Sequence, residues 1–213
     1  MTGKLWIVFT GFALFYLAAL SFRPFPLHFL VKAIPIFCLS LIVRTEISGR
    51  KGKLLSTGFL FSAFGDIVLA LSFGVTFIIG LLLFLVAHLF YISVFFREPQ
   101  LTAKNLVISG LFVIYGGIIG ISLFPKLGLL ALPILLYLCV ILAMAISTVL
   151  GRNNHALTVV GAFWFIISDS LIVINQSLVQ IPSANLWIMI TYYLAQTLIA
   201  VGAIKSDFRL DSK

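Results

Sequence analysis

The sequence predicts an all-α, polytopic membrane protein: eight transmembrane helices in a 4+4 parallel repeat, forming a single domain over residues 1–213. Three observations predict it. Of the residues, 62% are hydrophobic and 9% charged, too little charge to cover the surface of a soluble domain. Mean hydropathy is +1.22, and apolar stretches of ~20 residues, each able to cross ~30 Å of hydrocarbon, recur along the whole chain. Motifs of the first half also return in the second. The stretches do not alternate with period two, which argues against a β-barrel.

The spans fall roughly at 5–22, 27–44, 54–72, 75–96, 105–124, 128–150, 156–175 and 185–204. The first follows Lys4 and could mimic a signal peptide, but no small-x-small cleavage site follows and the run is long enough to span. Short connections make successive helices neighbours; the longest polar one is Arg44–Lys53, RTEISGRKGK. Pro35 and Pro133 predict kinks in spans two and six. Gly116 and Gly120, in GGIIG, predict small-residue packing in span five. Cys38 and Cys139 lie inside apolar segments and read as core residues, with neither a disulfide framework nor metal spacing.

The net charge of +8 sits in the connections, where it sets topology, so no nucleic acid partner is implied. One side carries eleven basic residues: Lys4, Arg44, Arg50, Lys51, Lys53, Arg97, Lys104, Arg152, Lys205, Arg209 and Lys213. The other carries two, Arg23 and Lys126. The positive-inside rule then places both termini in the cytoplasm. Short tails without a targeting signal favour a bacterial inner membrane, with the endoplasmic reticulum as the alternative.

The repeat rests on ordered matches. Ala33-Ile34-Pro35-Ile36 matches Ala131-Leu132-Pro133-Ile134, and Leu85-Val86-Ala87-His88 matches Tyr193-Leu194-Ala195-Gln196. Gly58 precedes Asp66 by eight residues, as Gly161 precedes Asp169. They fall in spans two, three and four of each half, which predicts two halves related by an axis along the membrane normal.

Asp66 and Asp169 are the candidate catalytic residues. The chain has six acids, and the other four (Glu46, Glu98, Asp207, Asp211) lie in polar connections or the tail. An ionisable group at membrane depth costs about 2.5–3.5 kcal/mol on insertion scales, so it marks a functional site by default. Asp66 lies 13 residues beyond Lys53 and Asp169 14 beyond His155, roughly 20 Å in each case at 1.5 Å per residue. Two carboxyls at one level predict a general acid and a general base from identical side chains, or a proton relay in a carrier of a small amphiphile. The alternative is that each merely hydrogen-bonds a neighbouring helix. Lys32 is the one cation within a span; it can pair with an aspartate, bind a substrate phosphate or snorkel outward. His88 and Tyr91 share a helix face, as do Tyr192 and Gln196. His88 reads first as a partner in an interhelical hydrogen bond, Tyr91 as an interface aromatic, and Ser62 as a donor to Asp66 or to its own helix. No serine-hydrolase elbow, zinc-protease motif or phosphate loop is present.

The segments VKAIPIFCLSL (31–41), FSAFGDIVLAL (61–71), GLLLFLVAHLFYISVFF (80–96), GAFWFIISDSLIVIN (161–175) and ITYYLAQTLIAVGAI (190–204) resemble the YhhN-like family of integral membrane lysoplasmalogenases. The resemblance covers five of the eight spans, in order. It implies a lysophospholipid substrate within the bilayer. The vinyl ether of a lysoplasmalogen would be cleaved to a fatty aldehyde and a glycerophospho-ethanolamine or -choline. By resemblance, the Gly-Asp and Ser-Asp motifs put the acid/base pair on Asp66 and Asp169. Lys32, His88, Tyr192, Tyr193 and Gln196 fall around the head group or the water. No metal or other cofactor is called for.

Overall fold

A computed structural model of the protein describes residues 2–71 and 75–211, without the side chains of 209–211. The last position of the third predicted span, 72, and the basic Lys213 lie outside the described residues. Among the described residues there are eight long helices and no strand: α1 (Thr2–Ala19), α2 (His28–Glu46), α3 (Gly49–Ala70), α4 (Thr76–Phe95), α5 (Ala103–Leu123), α6 (Ala131–Leu150), α7 (Ala156–Ser177) and α8 (Ala184–Asp211). Each is long and apolar enough to cross a membrane. The chain divides into two compact units, one running through Val94 and the other from Phe95 to Arg209.

Two helix ends depart from the hydropathy. Helix α3 begins at Gly49, so RTEISGRKGK is not a long polar loop: only Ile47 and Ser48 separate α2 from α3. Gly49 takes φ 65°, a left-handed turn conformation cheap for glycine. A Cβ on Gly52 would stand 1.9 Å from the Ile47 carbonyl oxygen, so the turn closes only because that side chain is missing. Helix α8 runs to Asp211 because polar residues emerging from the membrane lose no helical hydrogen bonds in water. The kink expected at Pro133 has no cause. Pro133 sits in the first turn of α6, where its missing N–H would have had no intrahelical partner. Pro35 does lie inside α2.

In the first unit α2 packs against α1 and α3. The α2–α3 hairpin is antiparallel, and the Ser40 hydroxyl donates to the Ser56 carbonyl at 2.8 Å, each eight residues from Ser48. Helix α4 lies against α3 at glycines: a Cβ on Gly58 would meet the Tyr91 ring at 2.5 Å and the Ala87 carbonyl oxygen at 3.3 Å. In the second unit α6 packs between α5 and α7. Helix α8 meets α7 at Gly161, whose Cβ would stand 2.9 Å from the Ala195 carbonyl oxygen and 2.8 Å from the Ile199 nitrogen. The third helix of each unit thus meets a carbonyl of the fourth through a glycine, at the positions matched in sequence. Asn154 closes the cytoplasm-predicted end of this unit, its side-chain amide donating to the carbonyls of Phe95 and Thr148, each at 3.0 Å.

Large apolar side chains remain exposed on α1 (Ile7, Leu14, Phe15) and on α5 (Leu111, Ile114, Ile118). In water such stripes would drive aggregation; in lipid they are solvated. Cys139 is exposed in the same sense, whereas Cys38 is buried. The core expectation therefore holds for Cys38 alone, because an apolar residue in a membrane helix need not face inward.

Candidate functional site

Each unit places one aspartate at depth and presents a polar side chain to it from the neighbouring hairpin helix. In the first unit the Lys32 ammonium lies 3.0 Å from Asp66 Oδ1, with the two side chains 12% and 2% exposed. Those exposures decide between the readings of Lys32: the ammonium is turned onto the carboxylate instead of snorkelling outward. Antiparallel register explains the meeting, since Lys32 and Asp66 each lie 17 residues from the left-handed Gly49.

The second unit repeats the arrangement with other chemistry. The Tyr137 hydroxyl on α6 donates a short hydrogen bond to Asp169 Oδ2 on α7. Tyr137 and Asp169 each lie 16 residues from Asn153, which also takes a left-handed conformation, φ 66°. Sequence reasoning missed Tyr137, which reads as one more aromatic in an apolar run. The signal that could have found it is register: folding the α6–α7 hairpin about Arg152-Asn153-Asn154 sets it opposite the aspartate.

Each of the remaining predicted residues makes contacts within its own unit. Ser62 bonds neither Asp66 nor its own helix; its hydroxyl meets the Tyr91 hydroxyl on α4 at 3.3 Å. Tyr91 is fully buried against Phe59, not an interface aromatic. The His88 Nδ1–H donates to the Phe84 carbonyl at 2.6 Å, within α4, and this bond places a ring proton on Nδ1. On α8 the Gln196 amide donates to the Tyr192 hydroxyl at 3.2 Å, as the i, i+4 spacing predicts. Tyr192 meets Phe165 of α7 edge to face and lies beside Tyr193, and both tyrosines are buried. The Ser168 hydroxyl donates to the Ile188 carbonyl at 3.1 Å, tying the turn before Asp169 to α8.

Asp169 also lines a partly open, largely apolar pocket between α5, α6 and α7. Ile119, Leu123, Ile134, Leu135, Leu138, Ile141, Ile166 and Val173 make its walls, with Asp169, Tyr137 and Ser170 the polar residues among them. A carboxyl with a phenolic donor, set in an apolar wall, can hold and transfer a proton where bulk water is scarce. Among the described residues no three His, Cys, Asp or Glu side chains gather as metal ligands.

The chain is 32% identical to human lysoplasmalogenase TMEM86A, over 83% of this chain and 78% of that one. It is 31% identical to human lysoplasmalogenase TMEM86B, over 83% and 75%. It is 30% identical to a lysoplasmalogenase of Mycobacterium tuberculosis, over 72% and 61%. No solved structure matches it. Residues 27–203, which hold both aspartates and every side chain met with them above, match the YhhN family, and the chain belongs to that family.

Proposed function

We propose that the protein is a lysoplasmalogenase, hydrolysing the vinyl ether of 1-alkenyl-glycerophosphoethanolamine or -choline within the bilayer. The observation that carries the reading is Asp169 with its Tyr137 donor in an apolar pocket, in a chain whose relatives are named for this activity. A vinyl ether is protonated on carbon, at the position β to oxygen, which leaves an oxocarbenium ion. Water adds to that ion as a base takes its proton. The hemiacetal then collapses: its hydroxyl gives up a proton as the carbonyl forms, the bond to the glycerol oxygen breaks, that oxygen takes a proton, and the chain leaves as an aldehyde. The step needs one acid and one base, and no oxidant or reductant.

Asp169, held by a neutral phenol among apolar side chains, takes the role of acid. Asp66, held against an ammonium, takes that of base. Lys32, His88, Tyr192, Tyr193 and Gln196 serve the head group or the attacking water. The 4+4 repeat belongs to the same reading, supported by the glycine-to-carbonyl contacts at Gly58 and Gly161 and by one aspartate per unit.

The test is aldehyde release from lysoplasmalogen by detergent-purified protein. The expected result is turnover of the vinyl ether and none of the saturated 1-alkyl ether of equal length, which has no double bond to protonate. A carrier would show no turnover without a membrane gradient, so failure to release aldehyde overturns the reading.

The charge count also orients the chain, with both termini in the cytoplasm. Arg50→Cys and Gln180→Cys, both at exposed positions, should react with an impermeant thiol reagent from opposite sides, Arg50 from the cytoplasm. Arg50 is preferable to Gly49, whose φ of 65° would strain a side chain. Labelling of both from one side would break the orientation.

A further inference from the structure

We propose that the pocket between α5, α6 and α7 seats the aliphatic chain of the substrate and sets the chain length the enzyme accepts. The inference rests on the lysoplasmalogenase reading above and adds to it a subsite for the alkenyl tail.

Asp169 stands midway along the α7 wall, between Ile166 and Val173, and the walls on α5 and α6 are aliphatic. The vinyl ether joins tail to glycerol, so a tail lying along these walls brings its first two carbons past the carboxyl that must protonate them. Helix α5 is the least buried helix of its unit, so the pocket lies beside lipid. A lipid tail therefore enters sideways without crossing water. It leaves hydrocarbon for hydrocarbon, and no transfer energy drives it in. Selection along the tail is then a matter of shape: a tail that fits keeps its reactive carbons at Asp169, and one that overfills the pocket forces strain of the kind seen in overpacked cores.

Ile119 on α5 and Leu138 on α6 line the pocket and take no part in the proton transfers. Ile119→Trp fills it and Leu138→Ala enlarges it. The measurement is kcat/KM for two lysoplasmalogens, one with a short and one with a long alkenyl chain, in the same preparation. The ratio of the two cancels differences in the amount of folded protein. Ile119→Trp should lower the long-to-short ratio about tenfold, the size of a modest packing clash. Leu138→Ala should move the ratio the other way, which keeps the test alive if the tryptophan variant does not fold. A ratio equal to the wild-type value in the folded variants overturns the subsite and leaves the activity standing. Wild-type protein that releases no aldehyde from either chain overturns both.

Discussion

Asp169→Asn should lower the rate of aldehyde release by roughly 10²–10⁴-fold, the contribution of a positioned acid or base, and leave the fold intact. The amide keeps the shape of the carboxyl, and its oxygen still accepts the Tyr137 hydroxyl that now bonds Asp169 Oδ2. What it lacks is a proton acidic enough to reach carbon. Because the pocket walls are unchanged, the loss should appear in kcat with KM nearly constant, the pattern of an interaction made only in the transition state. Asp66→Asn should be similarly slow, but its amide also meets the Lys32 ammonium, so Asp169 is the cleaner test. Thermal unfolding in detergent checks the fold, and aldehyde release checks the chemistry. An Asp169→Asn protein within about tenfold of wild type would remove Asp169 from the acid role, for a general acid is worth more than that.

Lys32→Met should destabilise the protein by about 3–5 kcal/mol, the usual result of removing one member of a buried ion pair. The loss arises less from the missing attraction than from the carboxylate left behind, with Asp66 only 1% exposed and hydrocarbon outside. Adding Asp66→Asn removes that buried charge, so the double variant should recover most of the loss. The coupling energy between the two substitutions is the quantity to measure, by unfolding the wild type, both single variants and the double variant in one detergent. A loss for Lys32→Met of less than about 1 kcal/mol, the worth of an exposed pair, would mean that the ammonium snorkels.

The eight spans were legible because hydrocarbon demands an apolar helix of minimum length, and that demand is written in composition. Helix ends were less so, since water outside the membrane makes no such demand; α3 absorbs the basic Arg50–Lys53 stretch and α8 runs on to Asp211. Asp66 and Asp169 stood out because carboxyls are rare at depth. Their partners did not stand out alike. Lys32 was visible as a charge, while Tyr137 and Tyr91 are aromatics whose hydroxyls matter only once hairpin register and helix packing bring Asp169 and Ser62 to them. Glycine spacing was more informative than its low chemical content suggests, since Gly58 and Gly161 mark where one helix backbone reaches the next.

The two-residue turn at Ile47-Ser48 bears on how the protein is made as well as how it stands. A link that short leaves α2 and α3 little slack to enter the bilayer one after the other, which favours insertion together as a hairpin. Alone, α2 would carry Lys32 and α3 would carry Asp66 into hydrocarbon, each at about 2.5–3.5 kcal/mol on insertion scales. Entering as a pair, with the ammonium already facing the carboxylate across the hairpin, the two helices bring no net charge to that depth. The turn glycines thus hold the charged residue of each helix opposite its counter-ion, so that neither need meet lipid alone.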